Sequence, residues 1–184
     1  MKRCHWVDES SQIYKDYHDY EWGKPVYDDQ KLYEMFLLET FQAGLSWITI
    51  LKKREAFKEA FDQFDVNKIA NYQEDKMGEL MNNPLIIRNQ RKIKAAICNA
   101  QKFIDIQQSW GSFSEYIWHF TNHEIVYPTD HHLTHNDLSD TISKDLKKKG
   151  MSFVGTVTIY SFLQAVGIIN DHEEECFLGG KKDV

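Results

Sequence analysis

At 184 residues, 42% hydrophobic and 14% aromatic, the chain can bury a core without disulfide staples. Three cysteines (Cys4, Cys98 and Cys176) are too few and too scattered for a secreted disulfide framework, and neither a signal peptide nor an apolar run of membrane length is visible. A net charge of −6 argues against a uniformly basic nucleic-acid binder, yet three basic knots stand out: Lys52-Lys53-Arg54, Arg88 with Arg91-Lys92 and Lys94, and Lys147-Lys148-Lys149.

With proline and glycine scarce, long linkers are not expected, so one domain is expected over 1–184, in a reducing cytoplasm. The pattern is helical almost throughout. Asp28 or Asp29 can cap a helix carrying Leu32, Phe36, Ala43 and Trp47 at three- and four-residue spacing, with a break near Gly44. "REAFKEAFDQF" puts Ala56, Phe57, Ala60, Phe61 and Phe64 on one face of a short helix. "EDKMGELM" gives another, stopped by Asn82-Asn83-Pro84. A long amphipathic helix follows from about Asn89 to Ile106, with Ile93, Ala96, Ile97, Ala100, Phe103 and Ile104 inward. Ser114 can cap a helix in "SFSEYIWHF", and 122–136 reads as an irregular, histidine-rich loop. Helices then run from Leu138 to Lys149, closed by Gly150, and from Thr156 to Val166, closed by Gly167. Thr156 to Tyr160 could pass for a strand, but no hairpin partner lies nearby. The class expected is all-α.

In "LLETFQAGLSW", Leu37 to Trp47, Glu39 is the only charge between Glu34 and Lys52. An acid in an apolar helix is costly unless paired. Lys52 and Lys53 lie too far along a helix to be its i, i+4 partners. Near the N-terminus Trp6, Tyr14, Tyr17, Tyr20 and Trp22 crowd beside Asp16, Asp19 and Glu21. Such rings either fill core or stack on a flat cationic ligand.

Cys4 and His18 near one end, with His172 and Cys176 at i, i+4 spacing near the other, make a possible tetrahedral zinc set. His5 is a rival ligand, and a surface histidine with a tail thiol is the plainer reading. Asn82 to Ala95 could form two helices around a tight turn, with Arg88, Arg91 and Lys92 gripping a phosphate. Those charges could equally be solvated ones on an amphipathic helix. Cys98 reads as inert core, the histidines at 119, 123, 131, 132 and 135 as a polar loop, and Asp105 as a carboxylate without a partner.

Together "LLETFQAGLSWITILKKR", "YHDYEWG", "IIRNQRKIKAAICNAQ" and "FVGTVTIYSFLQAVGIINDH" closely resemble the bacterial 3-methyladenine DNA glycosylase I family, in the same order from Met1 to Cys176. The resemblance implies an all-α member of the helix-hairpin-helix glycosylase superfamily. It would flip 3-methyladenine out of alkylated double-stranded DNA and release it hydrolytically, working as a monomer with no protein partner and no membrane. It implies one structural zinc, held by Cys4, His18, His172 and Cys176, that pins the termini. Glu39 matches the family's pocket glutamate and Trp47 its stacking tryptophan, with Trp6, Tyr17 and Trp22 as further pocket rings and Tyr14 nearby. The hairpin region falls at about 74–106, and Gly44 and Leu45 belong to the segment that approaches the gap left by the base. Two departures stand out. Leu85 replaces a hairpin glycine, and "GMSFVG" loses a ring at Met151 and a positive charge at Ser152.

Overall fold

The computed structural model describes residues 1–179, and these are all-α, with no strand beyond a single bridge between Val126 and Ile169. The helices are α1 (Gln12–Tyr20), α2 (Asp29–Gln42), α3 (Trp47–Ala60), α4 (Val66–Ala70), α5 (Glu74–Asn82), α6 (Gln90–Trp110), α7 (Phe113–His119), α8 (Asp137–Lys148) and α9 (Thr156–Ala165). No helix among the described residues is long and apolar enough to cross a membrane.

The core is built around α2, which is buried on nearly every side from Leu32 to Phe41 and packs against α3, α6, α7 and α9. Its cap is Asp28, whose side chain accepts from the Lys31 amide at 2.9 Å. Asp29 instead reaches across to the amides of Phe113 and Ser114, at 2.9 and 2.8 Å, and fixes the start of α7. Ser112, not Ser114, caps that helix: its hydroxyl accepts from the Glu115 amide at 2.9 Å, and Ser114 falls inside the first turn.

Two boundaries differ from the periodicity. The break after Gln42 makes Trp47 the first residue of α3 rather than the last of α2, with Gly44 at φ +81°. The helix read over "REAFKEAFDQF" begins earlier and stops at Ala60. Asp62, Gln63 and Phe64 then take left-handed φ values of 50°, 61° and 59°, which turn the chain and bury Phe64. Near the other end Gly167, at φ +72°, cannot carry a side chain, since a Cβ would lie 2.2 Å from the Lys24 carbonyl carbon. That contact lets the Gly23 amide donate to Gln164 O and the Val26 amide to Val166 O, which straps Trp22 against the end of α9. Arg54, counted with a basic knot, bridges Glu21 and Glu34 at 2.7–2.9 Å and ties α3 to α2 and to the segment after α1.

Candidate active site

A cleft of about 250 Å³ lies where α1, α2, α3 and α9 meet, lined by Trp6, Tyr14, Tyr17, Trp22, Glu39 and Trp47, with Gln42, Ser161 and Gln164 completing it. The structure thus brings together all six residues expected in a pocket. Trp6 meets Trp22 edge to face at 4.9 Å and Tyr14 at 5.4 Å, while Tyr17 faces Trp47 at 5.4 Å. Glu39 is only 3% exposed, and burial pushes its carboxyl up to about 8. Its Oε2 has no hydrogen-bond partner among the described residues, and neither have the indole N–H groups of Trp6 and Trp47. Buried polar atoms are rarely left so, and three around one cleft mark a place for a polar, planar guest.

Gln42, Ser161 and Gln164 were not anticipated. Gln164 interrupts an apolar run in α9 much as Glu39 does in α2, and the same reading would have found it. Its Nε2 donates to Asp171 at 2.7 Å, so its carboxamide oxygen is turned away from that carboxylate.

Behind Trp22 lie Cys4, His18, His172 and Cys176, all buried, with one ligand atom from each within 4.8 Å of the others. His172 Nε2 donates to the Trp22 carbonyl at 3.1 Å, which leaves Nδ1 facing the two thiols at 3.6 and 3.7 Å. His18 Nδ1 is held by Asp19 at 2.8 Å, which leaves Nε2 facing Cys176 at 3.5 Å. Asp19 is in turn clamped by Arg3 through two bonds of 2.8 and 2.7 Å. Two thiols, two oriented imidazoles and a hydrogen-bonded outer shell fit a tetrahedral cation. Burial pushes the Cys4 thiol up to about 12, a cost that a bound cation would offset. The rival His5 is exposed and pairs with Glu173 instead.

α5 and α6 are joined by a turn at 83–89. The Leu85 amide is taken by Asn83 Oδ1 at 3.0 Å, but those of Ile86, Ile87 and Arg88 make no hydrogen bond among the described residues. Arg88 and Arg91 are exposed beside them. Lys92 corrects the expectation of a third phosphate-gripping cation. Its side chain is buried, and its ammonium donates to Phe41 O at 2.8 Å and Ala43 O at 2.6 Å. It caps the end of α2 and fixes the loop that carries Gly44 and Leu45, both exposed between Glu39 and Trp47. Cys98 is not core either: it is half-buried in a groove and donates to Gly150 O at 3.6 Å. Asp105 is exposed and paired with Lys102, and His131 is held by Asp171 at 2.7 Å.

An all-helical frame with a small aromatic cleft around an unpartnered carboxyl has the form of a protein that accepts a single planar base. The chain belongs to the methyladenine glycosylase family, whose model matches residues 6–179. It is 45% identical over 178 residues to the DNA-3-methyladenine glycosylase of Haemophilus influenzae, covering 95% of this chain and 96% of that protein. It is 45% identical over 180 residues to DNA-3-methyladenine glycosylase 1 of Escherichia coli, with 96% of each chain covered. A crystal structure of a 3-methyladenine DNA glycosylase I matches with TM-score 0.93 at 44% identity, over 97% of this chain and 100% of that one. A relative solved in complex with 3-methyladenine matches with TM-score 0.90 at 37% identity, over 96% of both.

Proposed function

We infer that this chain is a DNA-repair glycosylase that releases 3-methyladenine from alkylated double-stranded DNA by hydrolysis, leaving an abasic site. Family membership supports the reaction, and the observation that carries it to this cleft is the unpartnered Glu39 carboxyl among aromatic faces. A cleft of about 250 Å³ is below the usual size of a drug-like ligand site, as a single base requires. Extruding the base costs a few kcal/mol, and stacking on an aromatic ring returns about 1–3 kcal/mol. Trp47 is assigned that face, with Trp6, Tyr14, Tyr17 and Trp22 shaping the rest.

3-Methyladenine in DNA is cationic. When the bond from N9 to C1′ breaks, its electron pair neutralises the base, and water adds to C1′ and loses a proton. Glu39, ionised once a cation faces it, accepts from the exocyclic amine and ring edge and balances the charge that the bond releases. The hairpin of α5 and α6 grips phosphate through the free amides of 86–88 with Arg88 and Arg91. Gly44 and Leu45 enter the gap, and Lys92 sets their position from behind.

One zinc ion held by Cys4, His18, His172 and Cys176 supplies positive charge that cross-links both ends of the chain. The remaining assignments are one domain, whose last residues 180–184 lie outside the described ones, a monomer, and the cytoplasm. Incubation with methylated DNA and chromatography of the freed bases is the test. 3-Methyladenine should be released well ahead of 7-methylguanine. Equal release of both would point to a broader enzyme, and release of neither would overturn the reading.

A further inference from the structure

One step behind the cleft lies a buried carboxylate that the reaction does not use. Asp171, on the segment after α9, is only 4% exposed and pairs with no lysine or arginine among the described residues. His131 Nδ1 donates to its Oδ1 at 2.7 Å and Gln164 Nε2 to its Oδ2 at 2.7 Å, with the Tyr160 hydroxyl 3.5 Å from that second oxygen. A buried carboxylate held this way is a costly means of stabilising a fold, so its place asks for another reason.

His131 belongs to the histidine-rich loop at 122–136. Backbone bonds bring that loop to the segment after α9: the Val126 amide donates to Ile168 O at 2.8 Å, and the Asn170 amide to Val126 O at 2.9 Å. His131 is half-buried, so a line of hydrogen bonds runs from the surface through Asp171 to Gln164, which lines the base cleft. A glutamine amide has two ends of nearly the same shape, one a donor and one an acceptor. Left free, Gln164 could offer either end, and the cleft would take a 6-amino or a 6-oxo purine alike. A carboxylate can only accept. With Asp171 behind it the amide must turn its nitrogen backwards, since the opposite orientation would set two oxygens 2.7 Å apart.

We propose that Asp171 and His131 are positioning residues for base selection. They fix the Gln164 carboxamide with its oxygen toward the cleft, which then selects a purine with an exocyclic amino group over its carbonyl counterpart. The proposal rests on the reading of the chain as a 3-methyladenine glycosylase and deepens it, since neither residue lines the cleft. Binding of free 3-methyladenine and of its 6-oxo counterpart, 3-methylhypoxanthine, is followed by quenching of the cleft tryptophans. Wild type should favour the amino base. Asp171→Asn keeps the shape but can donate as well as accept, so Gln164 can turn over. The ratio of the two affinities should then fall about tenfold, the worth of one hydrogen bond. Because His172 follows directly, a second arm uses the half-buried His131. His131→Leu should lower the ratio about threefold, and His131→Asn, whose amide nitrogen comes close to the place of Nδ1, should restore it. Where Asp171→Asn fails to fold, the His131 pair decides alone. A merely structural role would weaken both bases together. A ratio that stays at the wild-type value in the folded variants, or a wild type that binds both bases equally, overturns the selection while release of 3-methyladenine continues. A wild type that neither binds nor releases 3-methyladenine overturns the glycosylase reading itself.

Discussion

Two polar clusters meet at Trp22 and are finished in opposite ways. In the Cys4, His18, His172 and Cys176 cluster, both imidazoles are oriented from outside, by Asp19 and by the Trp22 carbonyl, so the four free ligand atoms converge on one point. In the cleft, Glu39 Oε2 and the indole N–H groups of Trp6 and Trp47 have no such outer partner, and they surround a space. Convergence within a closed cluster suits an ion that stays, whereas unpartnered atoms around an open cleft suit a ligand that comes and goes. The two are coupled, because Trp22 stands edge to face on His172 at 4.7 Å and also walls the cleft.

Removing the ion should give the largest effect. Metal analysis of purified protein should find one zinc per chain. Stripping it with a chelator, or replacing Cys176 with alanine, should cost on the order of 3–5 kcal/mol and lower the melting temperature by about 10 °C. Affinity for free 3-methyladenine should fall with it, since a wall of the cleft loses its support. A chelated protein that melts and binds like the untreated one would break the comparison at its root.

Glu39→Gln sharpens the other side. Release of 3-methyladenine should fall about 100-fold or more, as when one preorganised electrostatic partner is lost. Stability should move the other way. The native chain keeps a proton on Glu39 up to about 8, whereas an unfolded glutamate releases it near about 4.3. That contribution is fully present below the unfolded value and is lost as pH rises through the folded one. Glutamine does not titrate, so the variant should gain on wild type between pH 5 and pH 8.5, by on the order of 2–4 kcal/mol. Melting curves at the two pH values decide it. A constant difference would mean that the carboxyl is not held neutral in the native cleft.

The difference between the clusters was partly legible in the sequence. Glu39 stood out because a lone acid in an apolar helix needs a reason, and the i, i+4 pair of His172 and Cys176 suggested an ion. Sequence spacing could not choose between His5 and His18, since only packing buries one and exposes the other. Helices followed from periodicity, but the left-handed turn at 62–64 did not, because no glycine announces it. Lys92 was misread as one of a basic knot. Its stripe of three- and four-residue steps, through Ala96, Asn99 and Phe103, is in fact buried. Lys92→Met should therefore slow excision from duplex DNA about tenfold by freeing the Gly44 and Leu45 loop, since a buried and a part-buried carbonyl lose a charged donor. Binding of free 3-methyladenine should hold; an equal loss there would make Lys92 a support of the cleft instead.

The smallest effect expected falls on Gln164, which lies between the two kinds of site. Its amide nitrogen is satisfied by Asp171, as the imidazoles of the Cys4, His18, His172 and Cys176 cluster are by their outer partners, while its oxygen is left to a guest, as in the cleft. A base reading this edge meets an acceptor beside the Glu39 carboxylate, which favours an amino group over a carbonyl at the same position. A neutral hydrogen bond in a half-exposed setting contributes about 0.5–1.5 kcal/mol. Gln164→Met should then raise KM for methylated DNA and weaken free-base binding about three- to tenfold, with kcat nearly unchanged. A loss as deep as that of Glu39→Gln would mean that the oxygen acts on the breaking bond. No loss at all would mean that the cleft's selectivity is carried by Glu39 alone.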